Sequence, residues 1–126
     1  MTKLTEDQFQ MIGQYIDLLD TVEEAFSYIL NSYENIELTA VNQLIGDIFS
    51  AFQQINKTNE QLFVLLKDKS SLVDDLQAFA LVVEQAEKLD GVWNEPNAKQ
   101  AVIREQLYPA FSAWKVMVQG QLRMVN

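Results

Sequence analysis

Apolar residues recur at intervals of three and four, with polar positions between them, through four successive segments of the chain. This is helical spacing, because positions three or four apart share a face of an α-helix. The first segment opens at Thr5, whose hydroxyl can cap free amides while Gln8 reaches back, a capping-box pattern. Its inner stripe reads Phe9, Ile12, Ile16, Leu19, Phe26, Ile29, Leu30 and Tyr33. A second row, Met11, Tyr15, Leu18, Val22 and Ala25, lies beside the first, so the apolar arc is wider than one buried stripe needs: either the helix is wedged between two neighbours inside the monomer, as its position favours, or the second row pairs with another chain. Tyr28 is an apolar exception on the acidic side that carries Asp17, Asp20 and Glu24.

The second segment keeps its phase from Val41 through Ile45, Ile48, Phe52, Ile55, Asn59 and Leu62 to Leu66, a seam with one polar member. A buried asparagine in such a seam fixes register at a cost in stability, so Asn59→Leu is expected to stabilise the fold, the alternative being a polar spot that lines a ligand pocket or partner groove. Asn56 lies beside it. After the turn KDKSS, Ser71 with Asp74 resembles a cap for a third helix with the face Leu72, Val73, Leu76, Phe79, Ala80, Val83 and Ala86. Gly91 suits a left-handed stop after Asp90. Pro96 then suits the first turn of a fourth helix whose stripe is Ile103, Leu107, Phe111, Trp114, Val118, Leu122 and Val125.

That last stripe runs through Pro109 without changing phase. A kinked continuous helix with the proline ring facing solvent is expected, the alternative being two abutting helices with Pro109 in the first turn of the second. Helices over residues 5–34, 39–67, 71–90 and 96–124, joined by short turns, predict an all-α, antiparallel, up-and-down four-helix bundle. Residues 1–126 form one domain in this reading, with the last helix kinked or split at Pro109.

Composition narrows the chemistry. Cysteine and histidine are absent, which removes disulfides, thiolate catalysis, the imidazole base and most transition-metal sites. Glu34 with Glu37, and Glu84 with Glu87, have i, i+3 spacing but fall at a helix end and on a flank, so neither pair predicts a metal site. No catalytic, cofactor or metal residues are assigned, and a non-enzymatic protein is expected.

The net charge of −9 disfavours nucleic acid and anionic lipid surfaces. Residues 1–38 carry eight acids and one base, whereas residues 91–126 carry two acids and four bases, so the fourth helix is the cationic one and is expected beside acidic neighbours. No stretch approaches a membrane span, and the polar, acidic start of the chain does not read as a secretory signal; a cytoplasmic location is expected.

Phe111 and Trp114 belong to the stripe and are expected in the core. Tyr108 projects off it and Trp93 falls in a loop, positions suited to partner contact. With Met11, Tyr15, Leu18 and Tyr28 they form the expected partner-binding set, which holds a helix of another protein. The alternative is a homodimer in which a second copy consumes the same surface. In general profile, a small, acidic, cysteine-free helical bundle resembles adaptor proteins and bacterial export chaperones, including those serving flagellar subunits. Tyr33 and Glu37 have the spacing of the tyrosine–acid signal of some small secreted helical hairpins, but the Trp-x-Gly turn that accompanies it is missing.

Overall fold

Thr5 and Gln8 open the first helix as a reciprocal pair: the Thr5 amide donates to Gln8 Oε1 at 2.8 Å and the Gln8 amide to Thr5 Oγ1 at 3.2 Å. The structure, a computed structural model, describes residues 4–32 and 38–124. Tyr33, Glu34, Glu37 and Val125 lie outside the described residues, as does the side chain of Thr39. The first arm is α1 (Glu6–Ser32) and the second α2 (Leu38–Leu65). The third comprises α3 (Ser70–Gln77), α4 (Phe79–Glu87) and a 3-10 turn, Lys88–Val92. The fourth comprises α5 (Pro96–Val102), a π-helical segment, Ile103–Leu107, and α6 (Tyr108–Leu122). Each arm packs against its chain neighbours, and α6 also packs on α1, which closes the four-helix bundle.

The buried seam of α1 is Ile12, Tyr15, Leu19, Val22, Phe26 and Ile29, in steps of three and four. It runs between the two expected rows. Phe9 is 45% exposed, whereas Tyr15 and Val22 are core, because α1 is wedged between α2 and α6 and needs a wide apolar arc. The seam of α2 is as expected: Val41, Ile45, Ile48, Phe52, Ile55, Asn59, Leu62 and Leu66 are all buried.

The third arm departs from expectation in three places. Lys69, not Ser71, stands at its N-cap, and no side chain caps the helix. Gly91 lies within the 3-10 turn and no glycine has positive φ among the described residues, so the left-handed stop is not used. The buried side chains are Leu72, Leu76, Phe79, Val82, Ala86 and Leu89, with Val82 replacing Val83. The two consecutive steps of three, from Leu76 to Phe79 to Val82, match the tighter 3-10 winding of about three residues per turn. The α-helical ladder is interrupted at Ala78, whose carbonyl accepts from the Leu81 amide at 3.0 Å in that i, i+3 pattern.

The fourth arm departs the other way, by widening rather than tightening. Steps of four from Ile103 to Leu107 to Phe111 exceed the 3.6 residues of an α-helical turn, and the π segment supplies the wider turn. Its i, i+5 bond runs from the Tyr108 amide to the Ile103 carbonyl. Pro109, exposed, follows in the first turn of α6. The helix is therefore continuous, and the change of register at the π segment accommodates the residue that lacks an amide donor. Ile103, Leu107, Phe111, Trp114, Val118 and Leu122 are all buried.

At mid-bundle each arm contributes one phenylalanine. Phe52 lies 6.3 Å from Phe26, 5.2 Å from Phe79 and 5.8 Å from Phe111 between ring centres, and Trp114 sits 4.6 Å from Phe79. Polar ties join the fourth arm to the others. Lys115, buried, meets Glu23 at 2.8 Å and Asp20 at 3.0 Å, while Gln119 donates to Asp20 and Ser112 to Glu23. Toward the third arm, the Trp114 indole donates to the Asp75 carbonyl at 2.7 Å and Gln121 donates to the Asp75 carboxylate. The cationic fourth arm thus forms ion pairs with α1, while its described ties to the third arm are hydrogen bonds without an ion pair, from Trp114 and Gln121 to Asp75 and from Lys88 to Gln106.

Two consequences are measurable. Pro109→Ala is expected to lower unfolding free energy by about 0.4–1 kcal/mol, because a compatible proline restricts the unfolded chain. The π register persists, since the seam spacing demands it; urea denaturation and the Tyr108 amide resonance check both. Hydrogen bonds from Gln119, then Lys115, hold the Asp20 carboxyl below its ordinary value of 3.8. Its contribution to stability is complete above that unfolded value and is lost as pH falls through the lower folded one. Asp20→Asn is therefore expected to flatten the acid limb of the stability–pH curve below about pH 4, followed by urea midpoints.

Candidate functional site

α3 packs on both α2 and α6, whereas past the interruption at Ala78 α4 packs on α6 and meets α2 chiefly through Phe79. A groove opens between α2 and the third arm. Phe52 and Phe79 meet edge to face at its floor, with ring planes 80° apart. Toward one end, Phe49, Phe52 and Val83 line a cavity of about 300 Å³. Toward the other, Asn59, Phe63 and Phe79 line one of about 360 Å³. Asn56, exposed, borders both and makes them one groove along α2.

The groove has phenyl faces on its floor and amides on its walls, from Gln53, Asn56 and Gln77. Its charged lining consists of Glu87 and Asp90 at the Phe49 end and Glu60 at the Phe63 end. No lysine or arginine lines either cavity. The ion pairs among the described residues are both made by Lys115, so the three carboxylates are unpaired there. Such a surface offers apolar burial, amide hydrogen bonding and attraction for cations.

The family model that decides the chain's kinship matches residues 10–117, from α1 into α6, and so takes in the whole groove. The chain belongs to the family described as a domain of unknown function (DUF8042). Comparison with curated proteins and with solved structures returns no match.

The residues expected to bind a partner do not form one surface. Met11, Tyr15 and Leu18 do come together, in a smaller pocket of about 280 Å³ between α1 and α2 that Gln54, Thr58 and Gln61 complete. Tyr15 itself is 2% exposed, because its position falls at the centre of the α1 seam, and its hydroxyl donates to Asn59 Oδ1 at 2.5 Å. Burial pushes the Tyr15 phenol well above its ordinary pKa. Tyr28 is exposed at 53%. Tyr108 is half-buried, its ring 5.5 Å from that of Phe26 and its hydroxyl 3.5 Å from Ser27 Oγ.

Trp93 is half-buried at the start of the fourth arm, where Lys99 Nζ stands 4.0 Å from its ring centre. Lys99 is buried and donates to Asn42 Oδ1 at 2.6 Å, and its burial pushes the amine's pKa down. The face of Trp93 is thus already occupied by a cation. Lys115 behaves differently. Burial pushes its amine down, but hydrogen bonds to Glu23 and Asp20 outweigh that and hold it above the ordinary lysine value. Among the described residues no cluster of three or more Asp, Glu, His or Cys could hold a metal ion.

Reading the sequence missed Phe49, Phe63, Glu87 and Asp90 as site residues. The available signal was a second apolar row on α2, where Phe49 precedes Phe52 by three and Phe63 follows Leu62, comparable to the second row recognised on α1.

The Tyr15–Asn59 bond reverses the expectation for Asn59→Leu. Leucine leaves the buried phenol without its acceptor, at a cost of about 1–3 kcal/mol. In a double-mutant cycle, Tyr15→Phe with Asn59→Leu is expected to recover most of that loss, because two apolar partners need no hydrogen bond. Chemical denaturation of the four proteins measures it.

Proposed function

We propose that this chain is a non-enzymatic, cytoplasmic protein-binding module, of the adaptor or export-chaperone kind, that seats a helical segment of another protein between α2 and the third arm. The observation that supports it is the open groove whose floor is phenylalanine from Phe49 to Phe63. Amphipathic helices bind such grooves through apolar anchors at i, i+3 or i+4, and i+7. The carboxylates at both ends of the groove disfavour nucleic acid as the occupant. No described helix is long and apolar enough to cross a membrane. Among the sequence-derived candidates, Met11 and Leu18 form a separate, amide-rich pocket and Tyr28 an exposed flank, so in this reading they are secondary contacts.

A homodimer is the second reading, favoured by Val116 and Met117, adjacent and exposed on α6, and by Met124 beyond its end. Sedimentation equilibrium of the wild type and of Val116→Asp separates the readings, since a dimer dispersed by that substitution selects the second.

The test of the first reading is selection of helical peptides from a randomised amphipathic library, followed by mapping of bound peptide by amide chemical shifts. Binders are expected to shift Phe49, Phe63 and Val83. Asn56→Trp, which fills the groove from an exposed position, is expected to abolish binding while leaving the circular dichroism spectrum unchanged. Binders that map elsewhere, or that tolerate Asn56→Trp, would contradict the reading.

A further inference from the structure

We infer that the groove selects a basic amphipathic helix of about four turns, with lysine or arginine near both of its ends. The inference rests on the groove being a helix-binding site and adds the chemistry of its occupant. The groove follows α2 from Phe49 to Phe63, which at 1.5 Å rise per residue is roughly 21 Å, or four helical turns. Because the third arm runs antiparallel to α2, its C-terminal residues Glu87 and Asp90 flank the Phe49 end, and Leu76 and Gln77 face the end marked by Glu60 and Phe63. Carboxylates therefore stand at both ends of an apolar floor, with amide side chains between them.

No described lysine or arginine forms an ion pair with these carboxylates. Lys88, next to Glu87 in sequence, bonds Gln106 of the fourth arm at 2.9 Å. Lys115 is committed to Glu23 and Asp20. A partner carrying positive charge at the helix ends would meet unpaired acids at both, whereas an acidic partner would meet like charge over a chain whose own net charge is −9.

The same observations disfavour a second copy as the occupant. Of the fourth arm's four bases, Lys99 and Lys115 are buried, Arg104 reaches back to the Leu30 carbonyl at 3.2 Å, close to the C-terminus of α1, and Arg123 is exposed at the C-terminal end of α6. The exposed bases of the fourth arm, Arg104 and Arg123, are 19 residues apart, roughly 28 Å along the helix and farther apart than the two ends of the groove. The occupant is a different protein.

The test compares three synthetic, side-chain-stapled peptides with one apolar face and with lysine, glutamine or glutamate at both ends, titrated against the full chain by fluorescence anisotropy. The lysine peptide is expected to bind about tenfold more tightly than the glutamine peptide at low salt, with the glutamate peptide weakest. The preference is expected to collapse in about 0.5 M salt. The triple variant Glu60→Gln, Glu87→Gln, Asp90→Asn should lose the preference yet bind the glutamine peptide as the wild type does; the three side chains are exposed, so the fold should be retained.

Equal affinities for the three peptides, or a preference that survives the triple variant, overturns the charge selection while leaving the groove as a binding site. Binding of none of them overturns the groove reading itself. A wild-type dimer in sedimentation equilibrium that Asn56→Trp disperses assigns the groove to a second copy and overturns the inference.

Discussion

The contact between four phenylalanine rings at mid-bundle is the constraint on which the rest of the fold depends. Phe26, Phe52, Phe79 and Phe111 come one from each arm, and Phe52 touches the other three. Rings of this size bury large apolar area, and their tilted and edge-on geometries add stabilisation beyond that area. They also fix how close the arms can come. Each helix must deliver its ring to the same level, so departures from α-helical winding occur where the spacing of buried residues requires them. The third arm tightens at Ala78, immediately before Phe79, and the fourth widens at Ile103–Leu107, one turn before Phe111.

Polar groups then fix orientation around that layer. Tyr15 and Asn59 tie α1 to α2, and Lys115 with Asp20 and Glu23 ties α1 to α6. These ties contribute less net stability than the rings, because each begins by removing a polar group from water. They contribute specificity instead, since a rotated or shifted helix would leave a buried hydroxyl or amine unpartnered. The groove follows from the same arrangement: α3 and α4 both pack on α6, and past Ala78 the third arm meets α2 through the Phe79 ring on Phe52 while the rest of α4 has little contact with α2.

Much of the fold was legible in the sequence because helical spacing is local. The seam of α2 carries no proline and no phase slip, and every expected member is buried. The Thr5–Gln8 capping box likewise needs only four residues. The phase of α1 was not legible, since an arc wide enough for two neighbours has no unique centre until the neighbours are placed. Ala78 carries no local mark of a break, so extrapolating α-helical phase through it selects Val83 where Val82 is buried. The burial of Lys99 and Lys115 depends on Asn42, Asp20 and Glu23, which are distant in the chain. The groove was hidden for a related reason: Phe49 and Phe63 read as ordinary flanks of a seam, and only the placement of the third arm beside α2 leaves them half-buried along an open groove.

The central claim is that the ring layer acts as one unit with Phe52 at its hub. A double-mutant cycle of Phe52→Leu and Phe79→Leu, measured by chemical denaturation, tests it most directly. The account predicts a coupling of about 0.5–1.5 kcal/mol between the two substitutions. Losses that add within about 0.3 kcal/mol would show that the rings stabilise their arms independently, and would contradict it.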